Sequence, residues 1–234
     1  MDEPSPLIPA ATVVVLRDGA GGIEALMVRR RTHLTFGGAW VFPGGRVDDV
    51  DRIGPDLDHG LTWARAAAVR EVTEEIGVVL EVAALVWFSY WTPPATSPKR
   101  FGTHFFACAA GSHEMAVELD DAEADDWAWL RPLDAMDGHD AGTIELRVPT
   151  WITLEQLHRF ETVEDALGRL AAGEPEHFGT VLANDGTSPT ALYHGDAGYE
   201  SGDATVDGPR HRLVLHADGW HYDRDDFPSR RRGI

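Results

Sequence analysis

Four ionisable residues stand close together in the ten-residue stretch VREVTEEIGV, residues 69–78. They are Arg70, Glu71, Glu74 and Glu75. Like charges one helical turn apart destabilise a helix by roughly 0.2–0.5 kcal/mol per pair, so three neighbouring acids require compensation. A divalent cation such as Mg²⁺ or Mn²⁺ supplies it, because these ions prefer carboxylate oxygens and leave coordination positions open for phosphate oxygens. The cluster therefore favours metal-assisted phosphate chemistry, and a solvated acidic helix face is the alternative.

The apolar residues around these acids predict the element that carries them. Their spacing of three and four residues is typical of an α-helix from about residue 61 to 76. These positions are Ala66, Val69, Val72 and Ile76. Gly77 is placed to end the helix. At about 100° per residue the three carboxylates fall within an arc of about 100°, away from the apolar side, so the acids form one face.

A Phe-Pro-Gly-Gly loop at residues 42–45 precedes the predicted helix. Its proline and glycines allow a sharp bend and a close approach of the backbone to a ligand. Residues 48–60, between the loop and the helix, are polar, contain two glycines and a proline, and show neither helical nor strand periodicity. We expect an exposed loop there.

The loop and the helix together resemble the signature of the Nudix hydrolases, Gly-x5-Glu-x7-Arg-Glu-U-x-Glu-Glu-x-Gly-U, in which U is a bulky aliphatic residue. The second half of the signature matches at every defined position from Arg70 to Val78. The first half is interrupted, because Gly45 and Arg70 are 25 positions apart, 11 more than in the signature. We place the insertion at about residues 48–60.

One acid of the signature is displaced in this chain. Counting back eight positions from Arg70 gives Thr62, where the signature has glutamate. A loop acid such as Asp48 or Asp58 is the candidate to replace it. The displacement bears on the number of bound metal ions more than on the type of reaction.

An interrupted signature of this kind resembles one branch of the Nudix hydrolases, the branch that contains the mammalian coenzyme A diphosphatase. Three further segments are similar to that branch: VRRRTHLTFGGAWVFPGGRVD, YWTPPATSPKRFGTHFF and WAWLRPLDAM. The resemblance covers roughly residues 10–165. Gly102 stands where an acidic residue is expected in these relatives, which leaves a different substrate specificity open.

The resemblance implies a fold, an activity and a cofactor. The fold class is α/β, a Nudix-type α/β/α sandwich with a mixed sheet, formed by a Nudix domain at residues 8–148 and followed by a C-terminal helical and short-strand extension at residues 149–234. The activity is hydrolysis of a diphosphate linkage in a nucleoside-diphosphate derivative, with Mg²⁺ or Mn²⁺ as cofactor. Coenzyme A or acyl-CoA is favoured by the branch alone, and ADP-ribose, dinucleotides and NDP-sugars remain open. A catalytically weak nucleotide-binding or regulatory Nudix module is the other alternative, because the first half of the signature is interrupted.

The resemblance also implies roles for individual residues. The metal ligands are Glu71, Glu74 and Glu75, together with the backbone carbonyl of Gly45. Arg70 pairs with a glutamate of the signature and fixes its orientation. The candidates for the general base are Glu123 first, then Asp121 and Glu118. The candidates for substrate contacts are Arg29, Phe42 and Gly44.

The rest of the sequence predicts the elements around this site. A hairpin is predicted at residues 11–30, with a turn at 19–22. Further strands are predicted at residues 79–90, 101–110, 114–119 and 127–130. Two amphipathic helices follow, with Thr150 and Thr162 as their N-caps. A mobile loop is predicted at residues 183–208, before two short strands near 211–216 and 220–223.

Composition limits the possible partners and locations. The chain has 39 acidic residues against 20 Lys and Arg, a net charge of −19, which repels polyanions, so nucleic acid is not expected as a partner. A small phosphate compound is compatible with this charge where metal ions neutralise the site. The longest apolar run, residues 78–88, is shorter than the roughly 20 residues of a membrane span, and the acidic N-terminus does not resemble a signal peptide. We expect a cytoplasmic protein without a membrane span, with a buried thiol at Cys108 and, by analogy with relatives, a homodimer.

Overall fold

The computed structural model describes residues 4–33, 37–111, 116–120, 122–184 and 186–225. The chain folds into two compact units. The large unit comprises Ile8–Tyr90 and Gly102–Glu176, and the small unit comprises Met1–Leu7, Trp91–Phe101 and His177–Ile234. This division places residues 149–176 in the large unit. The predicted domain boundary at residue 148 stays a prediction.

A long antiparallel hairpin lies at the centre of the large unit. It consists of β1 (Leu7–Gly19) and β2 (Gly22–Arg30), as the sequence predicts. Gly22 begins β2 with a φ of 111°, a backbone conformation that favours glycine. Val13 to Leu16 are fully buried, so this part of β1 is covered on both faces.

Six further strands belong to the sheet around this hairpin: β3 (Ala39–Val41), β4 (Gly44–Arg46), β5 (Val86–Thr92), β6 (Arg100–Ala109), β7 (Ala124–Leu130) and β8 (Glu145–Leu146). Neighbouring strands follow the order β8-β3-β2-β1-β6-β5, while β4 pairs with β1 and β7 pairs with β2. The sheet is mixed, as predicted, because β3 and β8 run parallel whereas β1 and β2 run antiparallel.

Two of the predicted strands need correction. The strand predicted at residues 79–90 begins only at Val86, because the exposed residues Val82–Ala84 form a 3₁₀ turn. Residues 116–119 are not in a strand, so the prediction of one at 114–119 is wrong for them, while residues 114 and 115 lie outside the described residues. An apolar run therefore predicts a strand only where a neighbouring strand is available to pair with it.

The long helix α1 spans Leu61–Ile76 and confirms the predicted bounds. Gly77 ends it in the left-handed conformation, with a φ of 71°, and its N–H group bonds to the Thr73 carbonyl. The helix packs on the sheet through a buried side that contains three alanines, which allow a close approach. This buried side consists of Ala64, Ala67, Ala68, Val72 and Ile76, and it faces Val13, Val15, Leu26 and Val28 of the hairpin.

Three more helices follow β7. They are α2 (Pro132–Asp140), α3 (Val148–Leu157) and α4 (Val163–Ala172). The predicted cap at Thr162 is confirmed, because its side chain accepts a hydrogen bond from the Asp165 backbone at 3.2 Å. The predicted cap at Thr150 is wrong, since α3 already begins at Val148 and Pro149 lies in its first turn. The sequence pattern did not predict α2.

The small unit contains an antiparallel sheet in the order β10-β11-β12-β13. After β9 (Glu176–Gly179), these strands are β10 (Val181–Asn184), β11 (Pro189–Leu192), β12 (His211–His216) and β13 (Gly219–Arg224). The last two confirm the predicted short strands. The loop predicted at residues 183–208 is wrong in part, because β11 lies within it and pairs with β12.

None of the helices in the described part of the chain combines the length and the apolar character that crossing a membrane requires.

Candidate metal and catalytic site

The Phe-Pro-Gly-Gly loop is held against β1. Thr12 donates a side-chain hydrogen bond to the Pro43 carbonyl at 2.7 Å, and Gly44 lies opposite Thr12 in the β1–β4 pairing. Gly44 has a φ of 151°, and a Cβ atom there would overlap the Thr12 backbone. A Cβ atom on Gly45 would overlap the carboxylate of Glu71. Both glycines are required because the loop lies directly against a strand on one side and the acidic helix on the other.

Glu75 is the most deeply buried acid of α1. Its side chain accepts a hydrogen bond from the Gly44 backbone at 3.0 Å through Oε2, while Oε1 is buried without a hydrogen-bond partner among the described residues. Burial raises the pKa of Glu75 to about 7, and the charges of Glu123 and Glu71 act in the same direction. The Gly44 N–H group and the charge of Arg30 oppose this shift only in part.

Arg70 connects the acids of α1 to the inserted segment. Its Nη1 donates to Glu71 Oε1 at 2.9 Å and to Glu74 Oε2 at 2.8 Å. Its other edge holds Asp51 in a bidentate pair, with Nε at 2.9 Å and Nη2 at 2.7 Å. Burial raises the pKa of Glu71, and Arg70 opposes that shift.

Asp51 is the acid that lies next to α1 from the segment between the Phe-Pro-Gly-Gly loop and the helix. It is buried and ends a 3₁₀ turn, Asp49–Asp51. Burial alone would raise the pKa of Asp51, but hydrogen bonds from Arg70 and from the Asp48 backbone lower it below its usual value. The sequence contains the signal: five residues separate Gly45 from Asp51, as in the signature, so the extra residues follow Asp51. Counting back eight positions from Arg70 gives Thr62 instead, so the sequence analysis did not identify Asp51.

The two acids predicted to replace the signature glutamate, Asp58 and Asp48, have local partners. Asp58 accepts hydrogen bonds from the Thr62 backbone at 3.1 Å and from the Thr62 hydroxyl at 2.6 Å, which holds the first turn of α1. Asp48 lies 3.6 Å from Arg46 in an exposed ion pair. Neither contacts Arg70 as Asp51 does.

Glu123 approaches the acids from the segment before β7. Arg30 lies between the two groups, with Nη2 3.6 Å from Glu123 Oε2 and Nη1 3.9 Å from Glu75 Oε1. A β-bulge in β7 sets this arrangement, because Arg29 pairs with Asp126 and Arg30 already pairs with Ala124. The sequence pattern pointed to Arg29 and missed Arg30.

Comparison with known proteins decides the family. The family model for the Nudix domain matches residues 6–149, more than half of the chain. The chain belongs to the Nudix family. The Nudix match confirms the predicted diphosphatase class, and the predicted fold class is confirmed by solved Nudix structures.

Three Nudix relatives illustrate the similarity. A crystal structure of a Nudix hydrolase from Alicyclobacillus acidocaldarius matches with a TM-score of 0.64 and 26% identity, over 73% of this chain and 99% of that chain. An RNA pyrophosphohydrolase from Dinoroseobacter shibae is 29% identical over 138 residues, which are 53% of this chain and 77% of the relative. Putative nudix hydrolase 7 from Caenorhabditis elegans is 27% identical over 179 residues, 61% of this chain and 57% of the relative.

The predicted substrate contacts of this Nudix chain are not all brought to the acidic helix. Gly44 lies there, as described. The Arg29 guanidinium instead donates to Asp125 at 2.6 Å and lies 6.0 Å from the Trp40 ring. The Phe42 side chain is buried at 4% exposure.

Two further predicted site residues of this Nudix chain, Glu74 and Glu118, lie at or beside α1. Glu74 is 61% exposed on the solvent side. Glu118 lies at the end of α1, where its backbone N–H donates to the Ile76 carbonyl at 3.0 Å. Asp121 lies outside the described residues.

The Nudix acids do not form a complete metal site as they stand, but two observations fit a divalent cation. Within the described ranges, no three His, Cys, Asp or Glu side chains are arranged to hold a metal ion. Arg70 Nη1 donates to one oxygen of Glu71 and to one oxygen of Glu74. Yet Glu75 keeps a buried oxygen without a hydrogen bond, and the side of Gly45 that faces Glu71 is free of a side chain. A cation beside these acids would offset their repulsion and bind the Glu75 oxygen that accepts no hydrogen bond.

Proposed function

We propose that this chain is a Mg²⁺- or Mn²⁺-dependent hydrolase that cleaves a diphosphate linkage in a nucleoside-diphosphate derivative by attack of water on phosphorus. The observation that carries the proposal is the set of acids around the Gly44–Gly45 loop, which includes the buried Oε1 of Glu75 that accepts no hydrogen bond in the described part of the chain. Acids placed this close together repel one another, and a diphosphate substrate adds further negative charge.

The proposed metal ligands are Glu71, Glu74 and Glu75, with the Gly45 carbonyl. The cation would neutralise phosphate oxygens and lower the pKa of the attacking water. Gly44 fixes one oxygen of Glu75 through its N–H group, which leaves the other oxygen to face the ligand. Because one Glu75 oxygen bonds to the Gly44 backbone and the other faces the ligand, the loop must approach α1 closely.

Glu123 is proposed as the general base. Its carboxylate is 46% exposed, so it can exchange a proton with solvent. It also lies close to Glu71 and Glu75. Burial is the largest cause of the raised pKa of these two acids, and the charge of Glu123 raises both further. A group that borders the acids and the solvent can accept the proton of the attacking water and release it.

Arg70 and Asp51 are proposed to orient the ligands. Asp51 holds Arg70 by Nε and Nη2, so the guanidinium stays anchored when Nη1 releases the acids. Asp51 is proposed to take the place of the first glutamate of the signature, because it has the same spacing from Gly45 and the extra residues follow it.

For the substrate, coenzyme A or acyl-CoA is proposed from the resemblance to the interrupted branch. ADP-ribose, dinucleotides and NDP-sugars are the alternatives within the same chemistry. One relative is named an RNA pyrophosphohydrolase. A net charge of −19 disfavours RNA for this chain, because a polyanion is repelled over most of its surface.

A substrate panel with Mg²⁺ and Mn²⁺ in parallel tests the proposal. The panel holds coenzyme A, an acyl-CoA, ADP-ribose, a diadenosine polyphosphate, an NDP-sugar and a 5′-triphosphate RNA. We expect metal-dependent release of 3′-phosphoadenosine 5′-phosphate from coenzyme A, and a loss on the order of a hundredfold or more in kcat for Glu75→Gln. Glu161→Gln, an exposed acid outside the site, is the control and keeps the wild-type rate. An unchanged rate in Glu75→Gln would contradict the proposal.

A nucleotide-binding module without catalysis is the second candidate. The observation in its favour is that Arg70 Nη1 bonds to two of the proposed metal ligands at once. Tight binding of one panel compound, measured by calorimetry, without metal-dependent turnover would support this alternative.

A further inference from the structure

Arg30 occupies an unusual place between two acids of the site. Its side chain is only 19% exposed, and its two terminal nitrogens lie 3.9 Å from Glu75 and 3.6 Å from Glu123. Both distances are too long for a hydrogen bond, and Nε is buried without a partner in the described part of the chain. Arg30 therefore acts on the two carboxylates through its charge.

Glu123 needs such a charge to stay where it is. The negative charge of Glu123 acts on Glu71 and on Glu75, so these acids repel one another. Nearly half of the Glu123 side chain is exposed, so rotation toward solvent would relieve the repulsion. Arg30 attracts Glu123 in the opposite direction and holds it at the site.

The backbone around Glu123 supports the same arrangement. The N–H group of Arg31 donates to the Glu123 carbonyl at 3.0 Å, and the N–H group of Glu123 donates to the Asp120 carbonyl at 3.0 Å. The bulge between the register positions of Arg29 and Arg30 brings Ala124 opposite Arg30. The main chain is fixed at this point, and the side chain of Glu123 is the part left to be positioned.

We propose that Arg30 is a positioning residue that holds the carboxylate of Glu123 beside Glu75. The inference rests on the proposed function, in which Glu123 takes the proton of the attacking water. A positioning role differs from direct substrate binding, because its effect passes through Glu123 and falls on kcat.

Kinetics of matched variants test this role. We expect Arg30→Ala to lower kcat by about tenfold or more and to change KM by less than about threefold. Arg30→Lys restores kcat to within about threefold of wild type, because contacts without hydrogen bonds require a charge and not a planar fork. Arg17→Ala is the control, because Arg17 also pairs with a glutamate, Glu24 at 2.6 Å, near the end of β1 and away from the site. Its loss leaves kcat unchanged.

A double variant separates positioning from substrate binding. When Arg30 acts through Glu123, Arg30→Ala combined with Glu123→Gln is no slower than Glu123→Gln alone. Additive losses, or a KM that rises while kcat stays constant, would overturn the proposal. Where Arg30→Ala does not fold, Arg30→Gln replaces it, since it keeps much of the side-chain volume and loses the charge.

Crystal structures of the variants provide a test that needs no turnover. We expect the Glu123 carboxylate to turn toward solvent in Arg30→Ala and to keep its wild-type position in Arg17→Ala. An unchanged Glu123 carboxylate in Arg30→Ala rejects the positioning role. A wild-type protein that hydrolyses no panel compound, while Arg30→Ala shows this displacement, would reject the proposed function and keep the positioning role.

Discussion

Arg70 with Asp51 in the large unit and Arg212 with Asp196 in the small unit are both bidentate pairs with a buried aspartate. The arginine nitrogens lie 2.7–2.9 Å from Asp51 in the first pair and 2.6–2.7 Å from Asp196 in the second. Their surroundings differ. The exposed fractions are 20% and 4% for Arg70 and Asp51, and 8% and 0% for Arg212 and Asp196.

The pair in the small unit is closed on all sides. Asp196 also accepts hydrogen bonds from the backbone of His211 at 2.9 Å and of Gly198 at 2.8 Å, and Arg212 Nη1 donates to the Ala204 carbonyl at 2.6 Å. Burial would raise the pKa of Asp196, but these hydrogen bonds together lower it. A buried pair with so many satisfied partners holds the fold of its unit.

The pair in the large unit is open on one edge. Asp51 takes two nitrogens of Arg70, and the remaining nitrogen is shared by Glu71 and Glu74. Those two acids repel each other and face solvent in part. The same bidentate arginine–aspartate contact therefore has two roles. It stabilises the fold where all hydrogen-bonding groups of the pair are satisfied, as in Arg212 with Asp196. It supports a ligand site where the arginine also bonds to acids that a metal ion could bind, as in Arg70 with Asp51.

Removing an arginine from the closed pair is expected to have the largest effect on stability. Arg212→Ala leaves Asp196 buried without its counter-charge, which costs about 3–5 kcal/mol of unfolding free energy. Chemical denaturation measures this loss. Arg210→Ala is the matched control, because Arg210 pairs at 4.0 Å with an exposed aspartate, Asp207, and its loss costs less than about 1 kcal/mol. Equal losses for the two variants would contradict the structural role given to the buried Arg212–Asp196 pair.

Removing the charge from the open pair should affect activity instead. Asp51→Asn leaves Glu71 and Glu74 as the charged partners of Arg70, so the guanidinium competes more strongly with the metal for them. We expect kcat/KM to fall by about 10–100-fold at a fixed Mn²⁺ concentration and to recover in part at higher Mn²⁺. A Mn²⁺ titration of the steady-state rate measures both.

Asp49→Asn is the control for this variant, since Asp49 lies in the same 3₁₀ turn with a fully exposed side chain. It should behave as wild type. A result in which Asp51→Asn keeps the wild-type rate, but unfolds as easily as Arg212→Ala, would show that both pairs are structural.

The sequence predicted the acidic half of this site because its signals are local. The spacing of apolar residues in α1 and the glycine after it depend on residues within one or two turns, so the helix and its three acids were placed together. The hairpin at residues 11–30 was predicted for the same reason. Neither needs knowledge of a distant partner.

The missed residues depend on contacts far away in the chain. Arg30 faces the acids because of a bulge in β7, about ninety residues later, and nothing near Arg30 distinguishes it from Arg29. β11 lies in a segment rich in Gly, Asp and Ser, and its pairing with β12 decides its structure. Two other missed features have local signals in the sequence. Counting forward from Gly45 of the motif identifies Asp51, and Pro132 marks the first turn of α2.

The smallest expected effect separates two acids of the insertion. Asp58 caps the first turn of α1 through Thr62 and does not contact Arg70 in the way Asp51 does. Asp58→Ala should therefore lower the melting temperature slightly, because two hydrogen bonds at an exposed helix start are lost, and should keep kcat/KM within about twofold. Thermal unfolding and the coenzyme A assay measure the two quantities on the same preparation. A loss of activity in Asp58→Ala as large as that in Asp51→Asn would mean that the whole insertion, and not one buried carboxylate, holds Arg70 in place.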